Sequence, residues 1–335
     1  MSLRTLFFLP ALAVASLLTC GCSSDNYVRI EGFAQGGTYH VICNLPRGLS
    51  QGEAEKMIDG ALGEIDRSLS GYNRGSLLSR LNAGEDLPLD TLFISCFRRS
   101  MEVWRMSGGA FDPSAAPLFD LWGFGFQEKG DVSQAAIDSL LEFVGMDSFS
   151  LEEREDGVHL HRSDPRAKLN FNAIAQGYSC DVVASRLRAA GCRDYLVEVG
   201  REIVCRGRSS RGGKWKIGID KPYDGNFNEG ENLQEIIEVT DCGIVTSGNY
   251  RKFYVENGQK FAHTIDPRTG RPVQHNLLSA TVIAPDATAA DALATWAMVE
   301  GVENAVRFLD TIPDTGGYLV YSEGEEMKVS RVEVR

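Results

Sequence analysis

Two oxygen-bearing side chains four residues apart, Asp291 and Thr295, are where chemistry first shows in this chain. They stand in P-D-A-T-A-A-D-A-L-A-T-W, residues 285–296. The Pro-Asp start and the alanines predict a helix running to about Glu300. Four-residue spacing puts both side chains on one face of it. A carboxylate beside a hydroxyl suits a hard cation such as Mg²⁺. The same pair also reads as an acid near a helix start and a hydroxyl bonded back into its own turn. Just upstream, F-A-H-T-I-D-P-R-T-G-R-P at 261–272 predicts an apolar strand ending in a turn, with His263 and Asp266 delivered close to it. A third block, L-N-F-N-A-I-A-Q-G-Y at 169–178, reads as strand, irregular turn and helix start. That arrangement aims backbone N–H groups at an anion, although an Asn cap would explain it as well.

These groups need a scaffold, and the pattern supplies one. Strands are predicted at 27–33 and 39–43 around Gly36-Gly37, which marks a hairpin or a close approach to a ligand. Helices follow at 50–68, 76–82, 90–106 and 133–144, the first with a clear apolar stripe. Between them, A-F-D-P-S-A-A-P-L-F-D-L-W-G-F-G-F at 110–126 is rich in aromatics and glycine. It reads as a packed loop or as the wall of a pocket for a flat ring. A hairpin is expected at 149–162, turning at 155–157, and a helix from the 169–178 block to about Ala190. Strands come next at 195–199, 203–206, 215–219, 234–239, 244–247, 252–255 and 278–284, with a polar surface loop at 220–232. A helix at 302–310 and strands at 317–321 and 326–329 complete the chain. Helices and strands mix without βα alternation, so the fold class is α+β, mixed sheets with packed helices. GxGxxG, P-loop, HExxH, GxSxG and Cys/His zinc patterns are all absent.

The chain has 335 residues, 43% hydrophobic, with net charge −12. It is long enough for a substantial core and too acidic for a nucleic-acid face. Residues 6–18 form an apolar run of signal-peptide length behind Arg4, ending L-L-T-C-G-C-S-S. This resembles a bacterial lipoprotein signal. Residues 1–21 are then a leader and Cys22, preceded by Gly21, is the lipidated residue, with Cys20 the alternative. The mature chain, 22–335, reads as one domain exported and lipid-anchored on the periplasmic side of a bacterial membrane. Loss of Arg4 takes Lys+Arg from 34 to 33 and the net charge to −13. The six cysteines beyond Cys22 have no CxxC and no regular spacing, and are expected to be mostly free, buried thiols.

Across nearly the whole mature chain the blocks resemble the ApbE family of flavin transferases, which move FMN from FAD onto proteins. The blocks are G-G-T-Y-H-V, S-G-Y-N-R-G-S-L-L-S-R-L-N, F-D-P-S-A-A-P-L-F-D-L-W-G-F-G, L-N-F-N-A-I-A-Q-G-Y-S-C-D, L-V-E-V-G, W-K-I-G-I-D-K-P, S-G-N-Y, H-T-I-D-P-R-T-G-R-P and A-D-A-L-A-T, in that order. The resemblance implies an ApbE-like fold. It places Mg²⁺ on the Ala173 carbonyl, Asp291 and Thr295. It places FAD against Gly36, Gly37, Thr38, Tyr72, Ala110, Phe111, Asp112, Asn170, Gln176 and His263. Two positions depart from the family pattern. Asn170 stands where many members have Asp, and Gln176 where they have Lys or Glu.

The implied reaction is attack by a Ser or Thr hydroxyl of an acceptor on the FMN phosphorus, with AMP leaving. Water in place of the hydroxyl would make the site an FAD pyrophosphatase, and a non-catalytic flavin-binding lipoprotein is the third reading. His263 is the candidate for proton transfer, with Asp266 or Asp112 as alternatives. The implied acceptor is an exported flavoprotein subunit of a membrane redox complex.

Overall fold

The computed structural model describes residues 26–125, 128–223, 231–249, 253–256 and 259–335. The leader with Cys20 and Cys22, most of the 220–232 loop and the first residue of the 252–255 strand lie outside the described residues.

β1 (Tyr27–Ala34) and β2 (Gly37–Asn44) form an antiparallel hairpin. Its two-residue turn, Gln35-Gly36, has φ of 53° and 78°, the geometry whose twist matches the flanking strands. α1 (Gln51–Leu69) starts on a Ser50–Glu53 capping box. α2 (Leu77–Asn82) and α3 (Thr91–Met106) start on the Ser76 and Asp90 caps. α4 (Ala116–Leu121) and α5 (Gln134–Leu141) lead to the hairpin of β3 (Phe149–Arg154) and β4 (Gly157–Arg162). α6 (Ala175–Ala189) precedes the hairpin of β5 (Tyr195–Val199) and β6 (Glu202–Arg206), and β7 (Trp215–Asp220) pairs with β8 (Leu233–Val239). β9 (Cys242–Gly248) is followed by two short pairs, β10 (Phe253–Glu256) with β11 (Gln259–Ala262) and β12 (Ile265–Asp266) with β13 (Arg271–Pro272). β14 (Leu277–Ala284), α7 (Ala287–Glu300), α8 (Val302–Leu309), β15 (Gly316–Glu323) and β16 (Glu326–Val332) close the chain.

Eight strands make one antiparallel sheet in the order β1-β2-β5-β6-β9-β14-β15-β16. Helices pack against it, which is the expected α+β class. α7 lies at the centre. It is an alanine-rich helix buried on nearly every side, as a helix apolar all round must be. The small side chains let α6, β9 and β14 approach it closely. β14 in turn carries an unbroken buried run from Ser279 to Val282, the signature of a strand covered on both faces. Among the described residues no helix is long and apolar enough to cross a membrane.

Three local readings change. The aromatic stretch is not all loop, because residues 116–121 form α4 with Pro117 in its first turn. The strand expected before α6 reduces to one parallel bridge, Lys168 to Ala115. The single strand expected through 261–266 is broken. β11 pairs back with β10 while β12 pairs forward with β13, so His263 and Thr264 sit where the ladder changes partner.

Candidate active site

The seam between α6 and α7 gathers the acids. Gly177, in the first turn of α6, has no room for a side chain, since a Cβ there would overlap the Ala287 carbonyl oxygen and the Asp291 Cβ. That absence lets the Gly177 N–H donate to Asp291 Oδ2 at 3.0 Å. Asp291 is therefore no first-turn surface charge. It is 5% exposed, and burial pushes its carboxyl up to about 7, only partly offset by the Gly177 N–H. Asp286 caps α7 instead, accepting from the Ala289 N–H at 2.7 Å. Asp181 of α6 reinforces it, accepting from the backbone N–H groups of Ala287 and Thr288 at 3.1 and 2.8 Å and from the Thr288 hydroxyl. Burial raises Asp181 to about 6.

A third acid escaped the sequence reading. Glu202, the first residue of β6, has a buried Oε2 with no hydrogen-bond partner among the described residues. Burial first, and then the neighbouring Asp291 charge, push its carboxyl well above the usual range. Its position is set by the β5–β6 turn, where Gly200 and Arg201 have φ of 63° and 90°. Arg201 holds there a conformation that costs a non-glycine residue on the order of 1 kcal/mol. Gly200 abuts the Gln176 amide, and its N–H donates to the Thr38 carbonyl at 3.0 Å. Thus Gly36, Gly37 and Thr38 on one hairpin tip, the Gly200 turn on another and Gln176 at the start of α6 meet in one place. The family resemblance already groups Gly36, Gly37, Thr38 and Gln176, whereas the one sequence signal for Gly200 and Glu202 is the Gly-Arg turn between two strands.

The rest of the expected site joins through the 169–174 turn. The Asn170 N–H donates to the Pro113 carbonyl at 2.8 Å, which ties that turn to the 110–112 segment. Asn170 Oδ1 accepts from the Asn172 N–H at 2.8 Å, so the side chain organises its own turn. Asn172 Nδ2 donates to the Tyr72 hydroxyl at 3.4 Å, and Tyr72 is 68% exposed. Ala110 and Phe111 are buried in the main core, which leaves their backbone as the part a ligand could meet. Asp112 is fully engaged. It accepts from the Ser114 N–H and hydroxyl at 2.7 and 2.5 Å and from Trp104 Nε1 at 3.0 Å, and burial raises it to about 6.

The His263 turn is built differently. Asp266 accepts from the backbone N–H, Nε and Nη2 of Arg268 at 2.9, 2.9 and 3.0 Å. Arg268 also pairs with Glu300 at 2.7 Å, and its stem lies beside Gly109. Trp122 Nε1 donates to the Gly270 carbonyl at 2.8 Å, locking the turn under α4. Asp266 is therefore a turn organiser with its charge already paired. His263 stands half-buried at the change of ladder, its ring edge-on to Phe124 at 6.4 Å.

The donor set fits a hard cation. Asp291 is a buried carboxylate facing a second carboxylate, Glu202, and Thr295 follows one turn further along α7 on the same face. No group of three or more His, Cys, Asp or Glu is arranged as a metal centre among the described residues. Two shallow depressions along α3, one lined by Ile94, Arg98 and Glu102, contain none of the expected site residues.

Residues 35–319 match the model of the ApbE family. A relative named FAD:protein FMN transferase in Haemophilus influenzae is 33% identical over 307 residues, covering 88% of this chain and 87% of that protein. One of the same name in Escherichia coli is 30% identical, covering 95% and 93%. Among solved structures, the flavinyl transferase ApbE of Pseudomonas stutzeri in its apo form superposes with a TM-score of 0.81 at 30% identity, covering 92% of this chain and 95% of that one. The flavin transferase ApbE of Vibrio cholerae gives 0.80 at 29%, covering 92% and 98%. With a family match over residues 35–319 and relatives of 30–33% identity along most of its length, the chain belongs to the ApbE family.

Proposed function

We propose that this protein is an FAD:protein FMN transferase that requires Mg²⁺ and modifies a Ser or Thr hydroxyl. The observation that carries the reading is the α6–α7 seam, where Asp291 is buried, raised to about 7, and held by one backbone N–H, with no cationic side chain beside it among the described residues. Such a group is poised for a cation rather than for packing. Asp291, Thr295 and the Ala173 carbonyl would hold the Mg²⁺, which supplies neutralisation of pyrophosphate charge and so a better AMP leaving group.

FAD would lie across the tips at Gly36–Thr38 and Gly200, beside Gln176, Asn170, the backbone of 110–112, and Tyr72. The exposed Tyr72 ring offers a face for stacking. In the reaction the acceptor oxygen bonds to the FMN phosphorus, and the bond to the AMP oxygen breaks. The hydroxyl proton passes to His263, since both Asp266 and Asp112 already have their oxygens occupied. The acceptor would be an exported subunit of a membrane redox complex. The enzyme itself, one domain at 22–335, would be anchored through Cys22 on the periplasmic side. Cys22→Ala should then leave the protein soluble or unprocessed, and firm anchoring of that variant would sink the assignment.

The deciding experiment incubates the purified protein with FAD, Mg²⁺ and a candidate acceptor subunit. A covalent FMN mass increment on the acceptor, with AMP released, is expected. AMP with free FMN and no increment would make water the acceptor, and intact FAD would reduce the protein to a flavin carrier.

A further inference from the structure

The six cysteines among the described residues are all free thiols, yet four of them meet in two pairs. Cys205 on β6 and Cys242 on β9 are directly opposed in the antiparallel register of the large sheet. Opposed residues share a face with Cα atoms roughly 4.5–5.5 Å apart, inside the roughly 4.4–6.8 Å span of a disulfide. Both pack in one apolar cluster with Trp215 and Ile244. Cys43 on β2 and Cys192 in the turn after α6 are 0% and 1% exposed and share another cluster. That turn is pinned to β2, because the Asn44 N–H donates to the Asp194 carbonyl at 2.9 Å.

In both pairs the first influence on each thiol is its partner. A shared hydrogen bond raises Cys43 and lowers Cys192, and likewise raises Cys205 and lowers Cys242. The two remaining cysteines are placed otherwise. Cys180 Sγ donates to the Glu202 carbonyl at 3.0 Å, and Cys96 packs in the main core.

We propose that Cys205–Cys242 and Cys43–Cys192 are disulfide sites, closed as the chain folds in an oxidising compartment. Each bridge joins two sulfurs with loss of two protons and two electrons. The electrons reduce the disulfide of a thiol–disulfide oxidant, which departs as two thiols. Because three of the four sulfurs are fully buried in the folded chain, exchange precedes final packing. One bridge ties β9 to β6, the strand that starts with Glu202. The other ties β2 to the far end of α6, the helix that starts beside Gln176 and Gly177. The cross-links brace the two sides of the candidate site, and they stand apart from the transferase reading.

The test refolds the reduced, denatured mature chain with glutathione disulfide, blocks free thiols under denaturing conditions, and maps peptides without reduction. It repeats the mapping on protein recovered from the cell envelope. Expected are the 205–242 and 43–192 links, a mass lower by two hydrogens per bridge, and alkylated Cys96 and Cys180. The double variant Cys205→Ala/Cys242→Ala should keep the 43–192 link, and if it does not fold, the parent map still decides. Reduction of the linked protein should lower its Tm by roughly 5–10 °C. Six alkylated cysteines after oxidative refolding, or links between other partners, would overturn the proposal, and a single expected link would overturn the other pair. Links in refolded protein but not in envelope protein would overturn the oxidising-compartment half.

Discussion

The α6–α7 seam and the β12–β13 turn each hold a carboxylate at a crowded corner, and they settle its charge in opposite ways. At the turn, Asp266 faces the guanidinium of Arg268, which also reaches Glu300, so the charge is answered from within the chain. At the seam, Asp291 has one backbone N–H, Asp181 has the amides at the start of α7, and one oxygen of Glu202 has no partner among the described residues. Burial raises all three seam acids. A carboxylate paired with its own arginine is complete and can serve the fold alone. Buried carboxylates crowded together are costly as anions, a cost that the proposed Mg²⁺ would offset.

Gly177→Ala should have the largest effect on the seam. The new methyl would overlap the Ala287 carbonyl oxygen, so α6 and α7 must part. A cost of about 3 kcal/mol is expected, read as a clear fall in Tm together with loss of FMN transfer. Wild-type melting and activity would mean that the seam is loosely packed and does not position Asp291.

Asp291→Asn is gentler on the fold and nearly as severe on activity. The amide oxygen still accepts from Gly177, while the charged ligand is gone. Mg²⁺ affinity, measured by titration of AMP release and by Mg²⁺-induced thermal stabilisation, should fall on the order of 100-fold. Tm without metal should hold or rise. Normal Mg²⁺ dependence with a lowered Tm would make Asp291 a packing residue.

A pH series sharpens the same point. Asp291 is raised from 3.8 to about 7 on folding, so between those values the folded state holds a proton that the unfolded state has released. Its contribution is therefore full below pH 4 and is lost as pH rises towards 7. Metal-free Asp291→Asn should gain stability relative to the parent across that window. Mg²⁺ should reverse the trend for the parent alone, by binding the anion more tightly as pH rises. Parallel curves for parent and variant would show that Asp291 is ionised normally.

Arg268→Ala should do least. The pair is partly exposed, so about 1 kcal/mol or less is at stake, a Tm shift of roughly 1–2 °C at most for a chain of this length. Flavin transfer should be nearly unchanged. If transfer collapses at constant Tm, the turn belongs to the chemistry and the contrast between the two corners fails.

The sequence alone determined what is local. Four-residue spacing on an alanine-rich helix put Asp291 and Thr295 on one face, alternating and capped stretches placed most elements, and the ordered blocks carried the family. The burial expected of the cysteines holds for Cys43, Cys96, Cys180, Cys192 and Cys205. Features that depend on distant partners emerge from the fold. Periodicity does not reveal that 261–266 changes ladder partner at His263. The lone glycine at 177 says nothing of Asp291, 114 residues away, until α7 packs against it. Glu202 reads as an ordinary strand acid until the Gly200–Arg201 turn places it beside Asp291. Asp266 has its partner Arg268 only two residues on, but the second anchor of that arginine, Glu300, comes only through the fold. Burial and pairing are properties of contacts between separated segments, and a carboxylate's chemistry follows from those contacts rather than from its neighbours in sequence.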